Sequence, residues 1–375
     1  MPDTNFTHPM RKWEDILTIV NGKNQKNVET DNGQYPIYGS GGIIGRANAF
    51  LCEAGTTIVG RKGTINSPIY VNERFWNVDT AFGIVPGPEL LPKFLYYFCR
   101  HFNFKDLDKS TTIPSLAKRD LLAIKMVVPS LPEQERIVAR IEELFSELDK
   151  AVETLNTTKQ QLAVYRQAVL KEAFKHSVAQ KQIRDISILV TSGSRGWAKY
   201  YADSGARFIR ITDLTRNTIQ LKNNSIQYVN LPELAEGKRS KLEKDDILVS
   251  ITADLGSIAL IPDHLGEAYI NQHIAMIRLK NTTQSEYIAW YLKSDLGQKE
   301  LLKNKRGGGK LGLGLDDIRN THVPVVEDDM ALNVVEKIDR QLSVCDQIEK
   351  TIEQSLQQAE ALRQSILKQA FEGRL

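Results

Sequence analysis

The side chains best suited to chemistry in this 375-residue chain are cations set among small polar residues. Gly60-Arg61-Lys62-Gly63-Thr64-Ile65-Asn66 places two cations, a hydroxyl and an amide between two strand-like runs. Arg61 and Lys62 can neutralise phosphate, while Thr64 and Asn66 can donate to and accept from base edges. The glycines allow close backbone approach. Thr191 to Tyr201 repeats the mixture, with Ser194, Arg195, Trp197 and Lys199 as its candidates. Lys299 to Lys310 holds five cations, Arg306 and Lys310 among them, against the single acid Glu300. Ser250 to Gly256 is the second-half counterpart of 60–66 and carries hydroxyls and Asp254. These stretches predict contacts to nucleic acid.

Motifs for catalysis do not assemble. Gly307-x-Gly309-x-x-Gly312 has dinucleotide-binding spacing but follows a basic helical run, where that fingerprint needs a strand before it and a helix after it. Gly309-Lys310 is followed by Leu311 and lacks the P-loop's earlier glycine. No Asn-Pro-Pro-Tyr or Asp-Pro-Pro-Tyr tetrad is present to hold a flipped adenine. The six histidines show no metal-ligand spacing, and His273, in a strand candidate, is expected to be packed and hydrogen-bonded. Cys52, Cys99 and Cys345 lie far apart and are expected to be buried apolar side chains. The expectation is a reader without catalytic groups, metal or cofactor. No signal peptide or membrane-spanning run is evident, so a cytoplasmic protein is expected.

Elements that could position such loops come from an internal repeat. Tyr165 to Phe174 (YRQAVLKEAF) recurs 197 positions later as Leu362 to Phe371 (LRQSILKQAF). Each closes a long run without proline, opened by Pro129-Ser130-Leu131-Pro132-Glu133 in one case and Glu327-Asp328-Asp329 in the other. Acids there suit the positive end of a helix dipole. Ile141, Leu148, Leu155, Leu162 and Val169 recur every seventh residue, as do Ile338, Cys345, Ile352, Ala359 and Ile366. With Leu144, Ala151, Thr158, Tyr165 and Gln341, Ile348, Ser355, Leu362 as the interleaved rows, this predicts a coiled-coil seam between two antiparallel helices. Each helix would be about 65 Å long at ~1.5 Å per residue.

The preceding halves also correspond. Thr57 to Val59 then Ile69 to Val71 parallels Ile247 to Val249 then Ala259 to Ile261. Aromatic helical stretches follow at Phe94 to Phe98 and Tyr287 to Tyr291. The expected organisation is a mixed α/β domain at 1–130, a long helix at 131–176, a second similar domain at 177–326 and a second long helix at 327–375. The domains would then be related by a pseudo-twofold axis at opposite ends of a rod. Composition agrees with a folded chain, at 41% hydrophobic and 25% charged residues. The net charge of +3 conceals a division. The helices hold twelve basic and eighteen acidic residues, and the globular parts hold 37 basic and 28 acidic, about +9. That balance suits domains that meet phosphate and helices that do not.

These residues resemble the specificity (S) subunits of type I restriction–modification systems over nearly the whole chain. Val127-Val128-Pro129-Ser130-Leu131-Pro132-Glu133-Gln134-Glu135 resembles that family's first conserved helix, and Ala361 to Gly373 its C-terminal signature. Tyr35 to Gly45, Asp79 to Phe82, Gly193 to Trp197 and Ala268 to His273 look like its recognition domains. Val325-Val326-Glu327-Asp328-Asp329 departs from the usual Pro-Leu-x-Glu-Gln at the second helix, which leaves that hinge open. The resemblance implies a non-catalytic subunit for double-stranded DNA, each domain reading half of a split asymmetric site. It implies two methyltransferase (M) subunits carrying S-adenosylmethionine, and restriction (R) subunits using ATP and magnesium. A type IIB-like specificity subunit and a coiled-coil scaffold that binds no DNA are the alternatives.

Overall fold

The structure is a computed structural model describing residues 9–175, 179–232, 238–303 and 312–375. The chain divides into two compact units, Met1–Leu155 with Glu353–Leu375, and Asn156–Ile352.

The first unit contains β1 (Met10–Lys12), α1 (Trp13–Ile16), β2 (Leu17–Asn21), β3 (Tyr35–Gly39), β4 (Gly42–Ala47), β5 (Thr56–Gly60), β6 (Ile69–Val71), β7 (Trp76–Asn77) and β8 (Ala81–Pro86). Then come α2 (Pro92–His101), α3 (Lys118–Leu122), β9 (Lys125–Val127) and the start of α4 (Leu131–Ala173). A four-stranded antiparallel sheet has the order β2-β8-β5-β6, and a three-stranded sheet has the order β4-β3-β7 with β3 and β7 parallel. β5 is Thr-Thr-Ile-Val-Gly, β-branched and buried along its length, as a strand covered on both faces requires. Proline opens α2, whose buried Phe94, Leu95, Phe98 and Cys99 form one helical face.

The second unit repeats this plan. β10 (Gln180–Gln182), α5 (Ile183–Ile186), β11 (Ser187–Ser192), β12 (Tyr201–Ala202), β13 (Ala206–Ile209), β14 (Tyr228–Val229), β15 (Ile247–Ser250), β16 (Ile258–Leu260), β17 (Ala268–Ile270) and β18 (Ile274–Leu279) precede α6 (Ser285–Lys293) and α7 (Asp295–Leu301). α8 (Leu315–Arg319), β19 (His322–Pro324) and α9 (Asp328–Phe371) follow. The antiparallel sheet β11-β18-β15-β16 matches β2-β8-β5-β6 strand for strand. The other sheet, β12-β14-β13-β17, keeps the parallel pair, here β13 with β17, and has one more strand than its counterpart. The strand and helix runs expected from the sequence at 57–59, 69–71, 94–98, 247–249 and 287–291 all fall inside matching elements. Among the described residues, no helix is long and apolar enough to cross a membrane.

Each unit contains one stretch of helix pairing. In the first, Arg136 donates to the Leu375 carbonyl at 3.1 Å and Arg363 to Asp149. In the second, Arg166 donates to Asp346 at 2.6 Å and to Glu349 at 3.0 Å. Low numbers on α4 meet high numbers on α9, so the helices are antiparallel in both units. The repeated decapeptides now have a reason. Phe371 packs on Phe94 and Phe98, with ring centroids 5.2 and 5.5 Å away, and Phe174 packs on Tyr287 and Tyr291 at 5.2 and 5.4 Å. Each repeat thus ends by driving a phenylalanine into the aromatic helix of one unit.

The main seam row is where the heptads put it. Ile141, Leu162, Val169, Ile338, Cys345, Ile352, Ala359 and Ile366 are buried, and Leu148 and Leu155 are half-buried. The interleaved row is in part a correction: Leu144, Thr158, Gln341 and Ser355 are half-buried, with Leu144 packed on the first unit's core, but its other four members are exposed. Tyr165 and Leu362 are 48% and 49% exposed, and Ala151 and Ile348 are also exposed. The second row lies four residues on, at Phe145, Val152, Lys159, Arg166 and at Leu342, Glu349, Leu356, Arg363, Ala370. Hydrophobic periodicity misses it because several members are charged and neutralised across the pair.

The unusual start of α9 also has a physical answer. In the first unit Gln134 of α4 donates to the carbonyls of Glu89 and Pro129 at 2.8 and 2.9 Å and accepts from Leu91 N–H at 2.8 Å. Those bonds tie the helix to the loop before α2. In the second unit the glutamine comes from the other side. Gln284, just before α6, donates to the Val326 carbonyl at 2.9 Å and to Asp328 at 2.7 Å.

Candidate nucleic-acid interface

In the first unit the turn after β5 is shaped by glycine. A Cβ on Gly60 would lie 2.0 Å from the Thr64 carbonyl oxygen, and Gly63 has φ +81°. The backbone N–H groups of Arg61 and Lys62 donate to the Thr80 carbonyl at 2.8 and 3.2 Å. On its other side the turn pairs with the segment before α3. Lys62 bridges Ser115, and Leu116 N–H donates to the Arg61 carbonyl at 2.9 Å. Asp108 organises that segment by accepting from both Ser110 groups and from Ser115 N–H, and these bonds hold its carboxyl below the usual range.

These loops border a cleft of about 760 Å³ lined by Arg61, Lys109, Lys118, Ser110 and Ser115, among others. Lys62 and Thr64 are exposed and Arg61 is half-buried, its guanidinium carbon 5.8 Å from the Phe82 ring centroid. Asn66 is exposed but has a structural duty, accepting from Phe104 N–H at 2.7 Å. Lys109 and Lys118 were not singled out from the sequence. Lys109 pairs with Asp120 at 2.9 Å, and Lys118 Nζ donates to the Ile19 carbonyl at 2.7 Å. Neither contact is local in sequence. The Asp108-x-Ser110 turn was the available signal for the loop that carries Lys109.

The second unit builds the same junction from other side chains. Ile251 N–H donates to the His273 carbonyl as Arg61 N–H does to Thr80. Thr252 bridges Gly312 as Lys62 bridges Ser115, and Leu313 N–H donates to the Ile251 carbonyl at 3.0 Å. Ser115 and Gly312 are themselves 197 positions apart. The turn closes on itself. Ser257 Oγ donates to Asp254 Oδ2 at 2.8 Å, Ser257 N–H to Ser250 Oγ at 2.8 Å, and Ala253 takes φ +54°. Arg216 Nε donates to Asp254 at 2.9 Å, and chiefly through that bond lowers its pKa. Beneath, Lys293 is buried and pushed down to about 7 by desolvation, with Nζ donating to the Thr215 carbonyl.

Two of the stretches nominated from sequence meet here. Ser194 bridges Asn271, and Gly193 is required because a Cβ would fall 1.9 Å from the Ile270 carbonyl oxygen. Ser250 to Gly256 and Gly312, just past the Lys299 to Lys310 run, pair beside it. Arg195 and Lys199 are exposed, with Lys199 Nζ 4.9 Å from the Tyr200 ring centroid. Trp197 is a correction. It is 4% exposed and packs between Phe208 and Tyr269 at 5.6 and 5.4 Å, because the short helix that carries it turns the indole inward. Arg306 and Lys310 lie outside the described residues. His273 is half-buried, with both ring nitrogens in hydrogen bonds.

All three cysteines are free and buried, and burial raises the Cys52 thiol to about 12. Among the described residues, no three His, Cys, Asp or Glu side chains converge as a metal site.

A family model for the type I restriction modification DNA specificity domain matches residues 8–162 and again 180–358. The chain is 24% identical to the type I restriction enzyme EcoBI specificity subunit of Escherichia coli, over 85% of this chain and 73% of that protein. It is 21% identical to the EcoDI specificity subunit of the same species, over 96% and 87%. Among solved structures, a chain described with complex assembly and conformational transition of the type I R-M system is 16% identical with a TM-score of 0.75, covering 99% of this chain and 100% of that one. The HsdS subunit from Thermoanaerobacter tengcongensis is also 16% identical, with a TM-score of 0.53 and full coverage of both chains. At these identities the structural likenesses show the fold.

Proposed function

The chain belongs to the type I restriction–modification DNA specificity family as an S subunit, and we propose that it reads a bipartite, asymmetric double-stranded DNA site, one half per unit. The observation that carries this reading is the loop junction built twice on the same strands with different side chains. Arg61 and Lys62 on one junction have Ile251 and Thr252 as their counterparts on the other. One backbone geometry with two chemistries suits two different half-sites.

In this reading the chain performs no bond-making step. It scaffolds two M subunits, which supply S-adenosylmethionine and adenine N6 methylation, and R subunits, which supply ATP- and magnesium-dependent restriction. The acidic faces of α4 and α9 contact protein, and their length sets the number of base pairs between half-sites. Inserting four residues, about one helical turn, into α4 tests this. Methylation sequencing should then report an altered spacer with both half-sites unchanged. An unchanged spacer contradicts the ruler.

A further inference from the structure

A chain of hydrogen bonds runs through the second unit's junction. Gln272 and His273 lie between β17 and β18. An amide nitrogen only donates, so Gln272 Nε2 donates to His273 Nε2 at 2.9 Å. That leaves the proton of a neutral imidazole on Nδ1, which donates to Thr252 Oγ1 at 2.6 Å. The backbone around the ring is fixed as well. His273 N–H donates to Asn271 Oδ1 at 3.1 Å, and its carbonyl accepts from Ile251 N–H at 2.9 Å.

The Gln272 amide is therefore aimed by groups from two loops. One N–H is committed to His273, which leaves one N–H and the Oε1 carbonyl. Gln272 is half-buried, beside the meeting point of the Ser194 and Thr252 segments. A donor and an acceptor side by side on a planar amide are complementary to N7 and the N6 amino group of adenine in the major groove. The first unit has Asp79 and Thr80 at the corresponding place before β8, so it lacks this group.

We propose that Gln272 reads an adenine in the half-site bound by the second unit, with His273 and Thr252 as positioning residues that fix its amide. The proposal rests on the reading of this chain as a DNA specificity subunit. The test is duplex binding by the chain assembled with its methyltransferase subunits, using the methylated motif with each adenine replaced in turn by 7-deazaadenine. One adenine in one half-site should lose about tenfold in affinity when N7 is removed. Gln272→Ala should bind that duplex and the unmodified one equally. Gln272→Glu, which keeps the size but not the donor, should do the same. His273→Ala should shrink the penalty and leave discrimination in the other half-site unchanged. Absence of any sequence-specific binding overturns the parent reading, and this proposal with it. Specific binding without an N7-sensitive adenine, or a penalty retained in either Gln272 variant, overturns this proposal alone.

Discussion

The turn after β5 and the turn after β15 occupy the same place in two sheets of identical strand order, yet their chemistry is opposed. In the first unit Lys62 and Thr64 stand exposed beside Arg61 and a cleft that also gathers Lys109 and Lys118. In the second, the turn is closed by Ser250, Ser257 and Arg216 around Asp254, and its neighbour is the Thr252–His273–Gln272 chain. A second contrast lies where the aromatic helices meet the long ones. Lys93 of α2 pairs with Glu142 of α4 at 2.6 Å. Glu286 of α6 instead lies near Asp339 of α9, the residue 197 positions after Glu142. The backbone framework is held constant while surface side chains are free to differ. Exposed cations therefore mark the turn after β5, and neutral polar groups mark the turn after β15.

The largest expected effect comes from what the units share. Gly22 follows β2 and Gly193 follows β11, and a Cβ on either would fall within 2 Å of a carbonyl oxygen, at 1.8 Å from Val78 and 1.9 Å from Ile270. Gly22→Ala and Gly193→Ala should each cost about 3 kcal/mol or more, measured by thermal unfolding, and each should abolish recognition of one half-site. A small cost at either position would break the equivalence of the two junctions.

The next contrast is within the seam. Arg166, buried against Asp346 and Glu349, should cost about 2–3 kcal/mol when changed to alanine, while Tyr165→Ala should stay within about 0.5 kcal/mol. Equal losses would restore the row three residues on. This is also where the sequence was least legible. Ile141 to Val169 and Ile338 to Ile366 declare one row by apolar spacing. The other row includes Lys159, Arg166, Glu349 and Arg363, whose partners lie far along the chain or on the other helix, so periodicity treats them as surface. The strands, the aromatic helices and the junction loops at 60–66, 191–201 and 250–256 were legible because local composition specifies them. Trp197 was not, since a tryptophan in a polar loop gives no sign of which way it turns. Lys109, Lys118 and the Gln284 bond to α9 depend on tertiary contacts.

The two turns should separate in solution. Arg61→Ala with Lys62→Ala should weaken binding to all duplexes and lower the salt slope by about two, one per lost phosphate contact. Thr252→Ala should leave the slope unchanged and alter preference in one half-site. A slope change for Thr252→Ala, or none for the double variant, would erase the difference between the turns.

The smallest effect concerns pH. Burial, then Asp339 and Asp245, raise the Glu286 carboxyl from 4.5 to about 7. The folded state therefore holds that proton more tightly than the unfolded state does. Stability from this group is fullest below about 4.5 and is lost as pH rises through about 7. Glu286→Gln should raise the melting temperature by about 2 °C at pH 8 and leave it unchanged at pH 4.5. The same substitution at Glu142, which pairs with Lys93, should not stabilise at pH 8.

The account's central claim is that each unit reads its own half of a divided site through the same junction. Single-molecule methylation sequencing of cells expressing the chain with its methyltransferase subunit tests it most directly, comparing wild type with Arg61→Ala/Lys62→Ala and with Thr252→Ala. The account predicts a split motif in wild type, methylated less fully but with both halves unchanged in the first variant, and altered in one half only in the second. An undivided motif, or both variants changing the same half, would contradict it.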